Sequence, residues 1–151
     1  MNDDARHAIR IVRGVSLGAS DVRLLIAASF LQLLTAVALR TMPLPILRRR
    51  TARLRRLAHI ILNGTDERVI WAIEAVGRRL VGMSTCFVRA IVAELALGSP
   101  ERPLRLTIGV KRAPGGDLRA HAWVAHEDRI LVGGSVADEY VPLVAWDSLF
   151  T

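Results

Sequence analysis

Residues 84–98 read STCFVRAIVAELALG, and residues 104–110 read LRLTIGV. The first stretch has apolar residues at helical spacing, and Gly98-Ser99-Pro100 ends it. In the second, Leu104, Leu106, Ile108 and Val110 alternate with Arg105, Thr107 and Gly109, which is a strand pattern. The period thus changes from helix to strand within a few residues. Downstream, Ala113-Pro114-Gly115-Gly116-Asp117 is a turn and residues 120–125 read as a second strand. Glu127-Asp128 makes a short turn before a third strand, Ile130-Leu131-Val132. The segment from Ala137 onward is too short and mixed to place.

Upstream of Ser84 the signals are helical. Thr65-Asp66 caps a helix with Glu67 in its first turn, and Val69, Ile70, Ile73, Val76 and Leu80 share one face. Glu74 and Arg78 fall at i,i+4 on it. Further back lies an apolar run of sixteen residues, 24–39, between Arg23 and Arg40, with Ser20-Asp21 as its expected N-cap. A membrane-spanning helix wants about 20 residues. A helix buried against the rest of the protein is the first expectation here, a membrane-surface or partner-docking helix the second. The stretch up to Gly18 is polar and expected to be mobile in part. The fold class that emerges is α+β: N-terminal helices followed by an antiparallel β-meander, in one domain over 1–151. Within it, residues 1–64 form a helical N-terminal region and 65–151 the core.

Charge narrows the function classes. The 151 residues carry a formal net charge of +7. Residues 40–56, RTMPLPILRRRTARLRR, hold seven arginines and no acid, which leaves 14 basic and 14 acidic residues elsewhere. The excess is therefore local. Arg48, Arg49, Arg50 and Arg53 are the expected partner or membrane surface. No aromatic residue interleaves with them, so nucleic acid is not the expected partner. Lys111 is the only lysine, a bias that reads as codon usage. A single cysteine, Cys86, excludes a disulfide scaffold, a zinc finger and an iron–sulfur site. No metal or cofactor is expected.

Cys86 follows Ser84-Thr85 at the expected helix start. A thiol in a first helical turn meets the positive end of the macrodipole and unpaired N–H groups. Both favour the attacking thiolate, and the same N–H groups can hold an oxyanion. A buried structural cysteine is the plainer alternative. His121 lies on the second strand in AHAWV (120–124), with Trp123 on its face and Ala122 and Val124 on the other. Cys86 and His121 are a candidate nucleophile and base. Trp123 is the candidate substrate contact. His126 is expected to be solvated beside the turn. A third member to orient the imidazole is not evident: across the Glu127-Asp128 turn, His121 faces roughly Gly133 or Gly134. Asp138 is the next candidate, then Asp128.

The stretches STCFVRAIVAELALG, LRLTIGV and AHAWV, in that order and spacing, resemble the stand-alone, transglutaminase-like leader peptidase of bacterial lasso-peptide biosynthesis, the B protein. The likeness covers about residues 66–135. It implies a transglutaminase/papain-like cysteine protease core, with Cys86 as nucleophile and His121 as general base. Some members carry an Asp twelve residues after the His, where this chain has Gly133. The implied reaction removes the leader from a ribosomally made lasso-peptide precursor. The implied partners are that precursor, a separate small leader-binding protein (a RiPP recognition element) and an ATP-dependent lasso cyclase. The implied setting is cytoplasmic, peripheral to the inner membrane if the apolar helix and arginines make membrane-surface contact. The rival expectations are a transglutaminase-like cysteine hydrolase of another substrate, and a basic membrane-associated scaffold or nucleic-acid-binding protein.

Overall fold

The computed structural model describes residues 17–43, 46–47 and 51–148, of 51–53 the backbone alone. Arg48, Arg49 and Arg50 lie outside the described residues, as do the Arg53 side chain and most of the polar opening stretch. Among the described residues four helices come first: α1 (Ala19–Thr41), α2 (Thr51–Ile61), α3 (Asp66–Gly77) and α4 (Cys86–Leu97). Strands β1 (Arg105–Arg112), β2 (Leu118–His126) and β3 (Arg129–Val132) follow, then a 3-10 helix (Gly134–Glu139) and β4 (Val141–Asp147).

The sheet is antiparallel in the order β3-β2-β1-β4. Helices followed by an antiparallel sheet is the expected α+β class. The meander, however, covers only three strands. After β3 the chain crosses back and adds β4 to the far side of β1, pairing Leu106 with Trp146 and Ile108 with Val144. The sequence hides β4 because Val141, Leu143 and Val144 are exposed and Pro142 interrupts the run. Without a half-buried alternation there is no strand signal to read.

α4 is the axis of the molecule. Of its twelve residues, Val88 and everything from Ala90 to Leu97 are buried. Its apolar residues join one core with Leu24, Ala28 and Leu31 of α1, Val69, Ala72 and Ile73 of α3, Leu104 just before β1, and Leu106, Ala122 and Val124 of the sheet. Burial on all sides explains why the sequence there is apolar almost all round rather than on one stripe. Glu94, the buried charge on it, is paired with Arg55 of α2 at 3.5 Å, both side chains about nine-tenths buried. Burial pushes the Arg55 guanidinium below its ordinary value, against the pull of the Glu94 carboxylate. One arginine of the basic run is therefore structural rather than solvated.

α1 starts one residue earlier than its expected cap. Gly18 is the N-cap, and Asp21 reaches back from the first turn to accept the Gly18 N–H at 3.1 Å. Leu24, Ala27, Ala28, Leu31, Gln32, Thr35 and Ala36 are buried, while Val22, Ile26, Phe30 and Val37 are exposed. The helix is long and apolar enough to cross a membrane by length and composition, yet one face belongs to the core.

Candidate active site

The loop that delivers Cys86 is fixed from three directions. Gly82 takes a left-handed conformation, φ 81°. The Ser84 N–H closes onto the Leu80 carbonyl at 2.9 Å. The Ser84 hydroxyl donates to Oε1 of Gln32, whose Nε2 donates to the Ile73 carbonyl at 2.9 Å. Gln32 is wholly buried, so both ends of its amide must find partners inside the protein. It thereby ties α1 to α3 and to the residue two before the cysteine. In the sequence it is one of three polar breaks in an apolar run, with nothing to mark it as the one that reaches Ser84.

Thr85 is the N-cap of α4, and its hydroxyl accepts the Val88 N–H at 3.2 Å. The first intrahelical bond runs from the Arg89 N–H to the Thr85 carbonyl. The Cys86 and Phe87 N–H groups thus have no intrahelical acceptor. Cys86 is a free, half-buried cysteine that opens the helix. Donors so placed are the kind that stabilise a developing oxyanion.

His121 sits in a second cluster. It pairs with Gly109 across β1–β2 and shares a sheet face with Trp123, opposite Ala122 and Val124. The crossover after β3 covers this face. The His121 ring lies 6.1 Å from Trp123 and 5.1 Å from Tyr140, centroid to centroid. Two glycines make room. A Cβ on Gly109 would stand 2.8 Å from the Trp123 ring, and one on Gly133 2.6 Å from the Ala122 carbonyl oxygen. Gly133 is also left-handed, φ 81°. Lys111 closes the cluster, 4.6 Å from the Tyr140 ring centre. Its hydrogen bond to Glu139 raises the ammonium above its ordinary value.

The imidazole's polar partner is the backbone. His121 Nε2 lies 2.7 Å from the Gly133 carbonyl oxygen. A carbonyl only accepts, so Nε2 carries the proton and Nδ1 is the basic nitrogen of the neutral ring. A peptide carbonyl thus occupies the orienting place for which Asp138 and Asp128 were the sequence candidates. Asp138 is exposed on the 3-10 helix. Asp128 lines a polar cleft of about 480 Å³ with Glu101, His126 and Asp147. That cleft contains neither His121 nor Cys86.

Among the described residues no hydrogen bond joins the Cys86 thiol to the His121 imidazole. The thiol packs with the core on the helical side, whereas His121 occupies the sheet face away from it. The two are linked through the scaffold. The Gly133 N–H donates to Glu74 Oε1 at 3.2 Å, and Glu74 Oε2 accepts from Arg89 at 2.6 Å. Arg89 lies one turn beyond Cys86 on α4. Glu74 therefore does not form the expected i,i+4 pair with Arg78, the residue that caps the end of α3. It reaches instead across to α4 and to the end of β3, a tertiary choice that helical spacing cannot reveal.

The family model described as Transglutaminase-like superfamily matches residues 19–145. No curated protein and no solved structure matches the chain. The match begins with α1 and runs into β4, so it takes in both clusters and these four helices. Members of that superfamily are in general cysteine peptidases or transferases. With a lone cysteine opening its central helix and an antiparallel sheet behind it, the chain belongs to the transglutaminase-like superfamily and has its α+β, papain-like core.

Proposed function

We propose that the protein is a cysteine peptidase that removes the leader from a ribosomally synthesised lasso-peptide precursor, acting with a separate leader-binding protein and ahead of an ATP-dependent cyclase. The observation that carries this reading is the placement of the only cysteine. It is the first residue of a capped, enclosed helix in a transglutaminase-like chain. The finer assignment, to leader removal, is supported by the three sequence stretches around Cys86, Ile108 and His121.

In the proposed reaction the thiol proton passes to Nδ1 of His121 as sulfur attacks the scissile carbonyl. The Cys86 and Phe87 N–H groups face the oxyanion. The C–N bond breaks as the imidazolium returns its proton to the leaving amine, which becomes the N-terminus of the core peptide. Water then attacks the thioester, giving the leader carboxylate and restoring the thiol. The reaction requires thiol and imidazole to meet. His121 stands on the other sheet face, so the proposal includes a shift of β2 on precursor binding that brings the imidazole to the thiol.

Cleavage of the precursor in the presence of its partners, followed by mass spectrometry, tests both halves. Cys86→Ala is expected to abolish trimming, and the wild type to yield a trappable thioester at Cys86. Trimming by purified Cys86→Ala would overturn the assignment. His121→Gln is expected to fail as well. If it cleaves normally, His121 only packs the crossover and another group moves the proton.

A further inference from the structure

α1 presents two unlike faces. The buried face belongs to the core; the other places Val22, Ile26, Phe30 and Val37 in solvent, with Ile26 65% and Phe30 53% exposed. At 3.6 residues per turn these four fall within an arc of about 80°, a single ridge rather than scattered exposure. Ile60 of α2, 67% exposed, extends the ridge sideways. Between the two helices runs an open apolar groove of about 660 Å³ lined by Val22, Ile26, Phe30 and Ile60.

Among the described residues of α1 and α2, the exposed charges are of one sign. Arg40 lies on the line of the ridge at one end of α1 and donates to the Gly82 carbonyl, and Arg23 flanks it at the other and donates to the Ile61 and Asn63 carbonyls; both remain exposed. Arg56, one turn before Ile60 on α2, is exposed too. The only acid of α1, Asp21, is buried and paired with Arg68, and α2 contains no acid. The surface of these two helices therefore exposes guanidinium groups and large apolar side chains but no carboxylate. Arginine at the ends of an apolar ridge can lay its stem along the hydrocarbon boundary while its head meets phosphate. With half of α1 committed to the core, the helix can lie on a bilayer but cannot span one.

We propose that the α1–α2 face is a membrane-surface site, taking the headgroup region of an anionic bilayer. The ridge supplies the apolar insertion and the arginines the preference for anionic lipid. This assignment is independent of the peptidase reading.

Flotation of the full-length protein with vesicles tests it. Vesicles of phosphatidylcholine alone are compared with vesicles containing an equal share of phosphatidylglycerol. Binding is expected to the anionic vesicles only and to fall steeply with salt. The double substitution Ile26→Glu/Phe30→Glu changes two exposed side chains, so the helical circular dichroism spectrum should be retained while vesicle binding drops by at least about tenfold. Arg56→Glu, which leaves the ridge intact, should weaken binding by roughly fivefold or more. Failure to float with anionic vesicles, or flotation unchanged in the double variant, would overturn the proposal. So would equal binding to both vesicle types. Light scattering without vesicles covers the other occupant: self-association that Ile26→Glu/Phe30→Glu abolishes would make the face a contact between copies of this chain.

Discussion

α1 and α4 are both apolar helices, yet they do different work because of what surrounds them. α4 is enclosed by α1, α2, α3 and the sheet, and nine of its twelve residues are buried. α1 also buries nine residues, but it is 23 long, and a whole ridge of it faces outward. The enclosed helix begins at the lone cysteine. The half-enclosed one offers a surface. Hydrophobic composition alone does not distinguish the two roles; the completeness of the packing shell does.

The comparison can be broken in a graded way. Cys86→Ala sits at the mouth of the enclosed helix and should cost about a thousandfold or more in precursor cleavage. The thermal midpoint should hardly move, so activity and stability are read on the same sample. Leu95→Ala, in the middle of α4 and 1% exposed, should destabilise by about 2–5 kcal/mol in urea unfolding. Ile26→Ala on the open ridge of α1 should stay within about 0.5 kcal/mol. Similar losses at Leu95 and Ile26 would mean that α1 is as enclosed as α4.

Gln32→Leu keeps the apolar character of α1 but leaves the buried Ile73 carbonyl and the Ser84 hydroxyl without their amide. A loss of about 1–3 kcal/mol is expected, with faster alkylation of Cys86 as its loop loosens. Unchanged stability and alkylation would show that Gln32 merely fills space. The smallest effect should come from Asp147→Asn at the sheet surface. Asp147 accepts a hydrogen bond from Arg105 Nε at 2.9 Å and raises the guanidinium above its ordinary value, yet both side chains are largely exposed. The urea midpoint should not shift measurably.

Local patterns made much of this legible. α3, α4 and the first three strands follow from periodicity, and the short Glu127-Asp128 turn put His121 opposite Gly133 or Gly134. The structure turns that juxtaposition into a hydrogen bond to a carbonyl, a partner invisible to any search for acidic side chains. What was not legible depends on crossing the molecule. β4 is recruited by the free edge of β1, and Tyr140 reaches His121 only because the crossover folds over Gly109. The Gln32–Ser84 and Glu74–Arg89 contacts join elements 52 and 15 residues apart. Each depends on packing that the sequence does not mark locally.

β4 has a consequence of its own. Among the described residues it pairs with β1 alone, so its other side is a sheet margin that displays Val141, Leu143 and Val144. A flat, apolar margin invites strands from other molecules to stack on it. Two irregularities blunt it: Pro142, which has no N–H to offer, and the register shift where it faces Gly109. Pro142 thus acts as a guard against disorderly assembly. With valine in its place the margin would run uninterrupted, and the protein's solubility, rather than its fold or its chemistry, would be the first property to suffer.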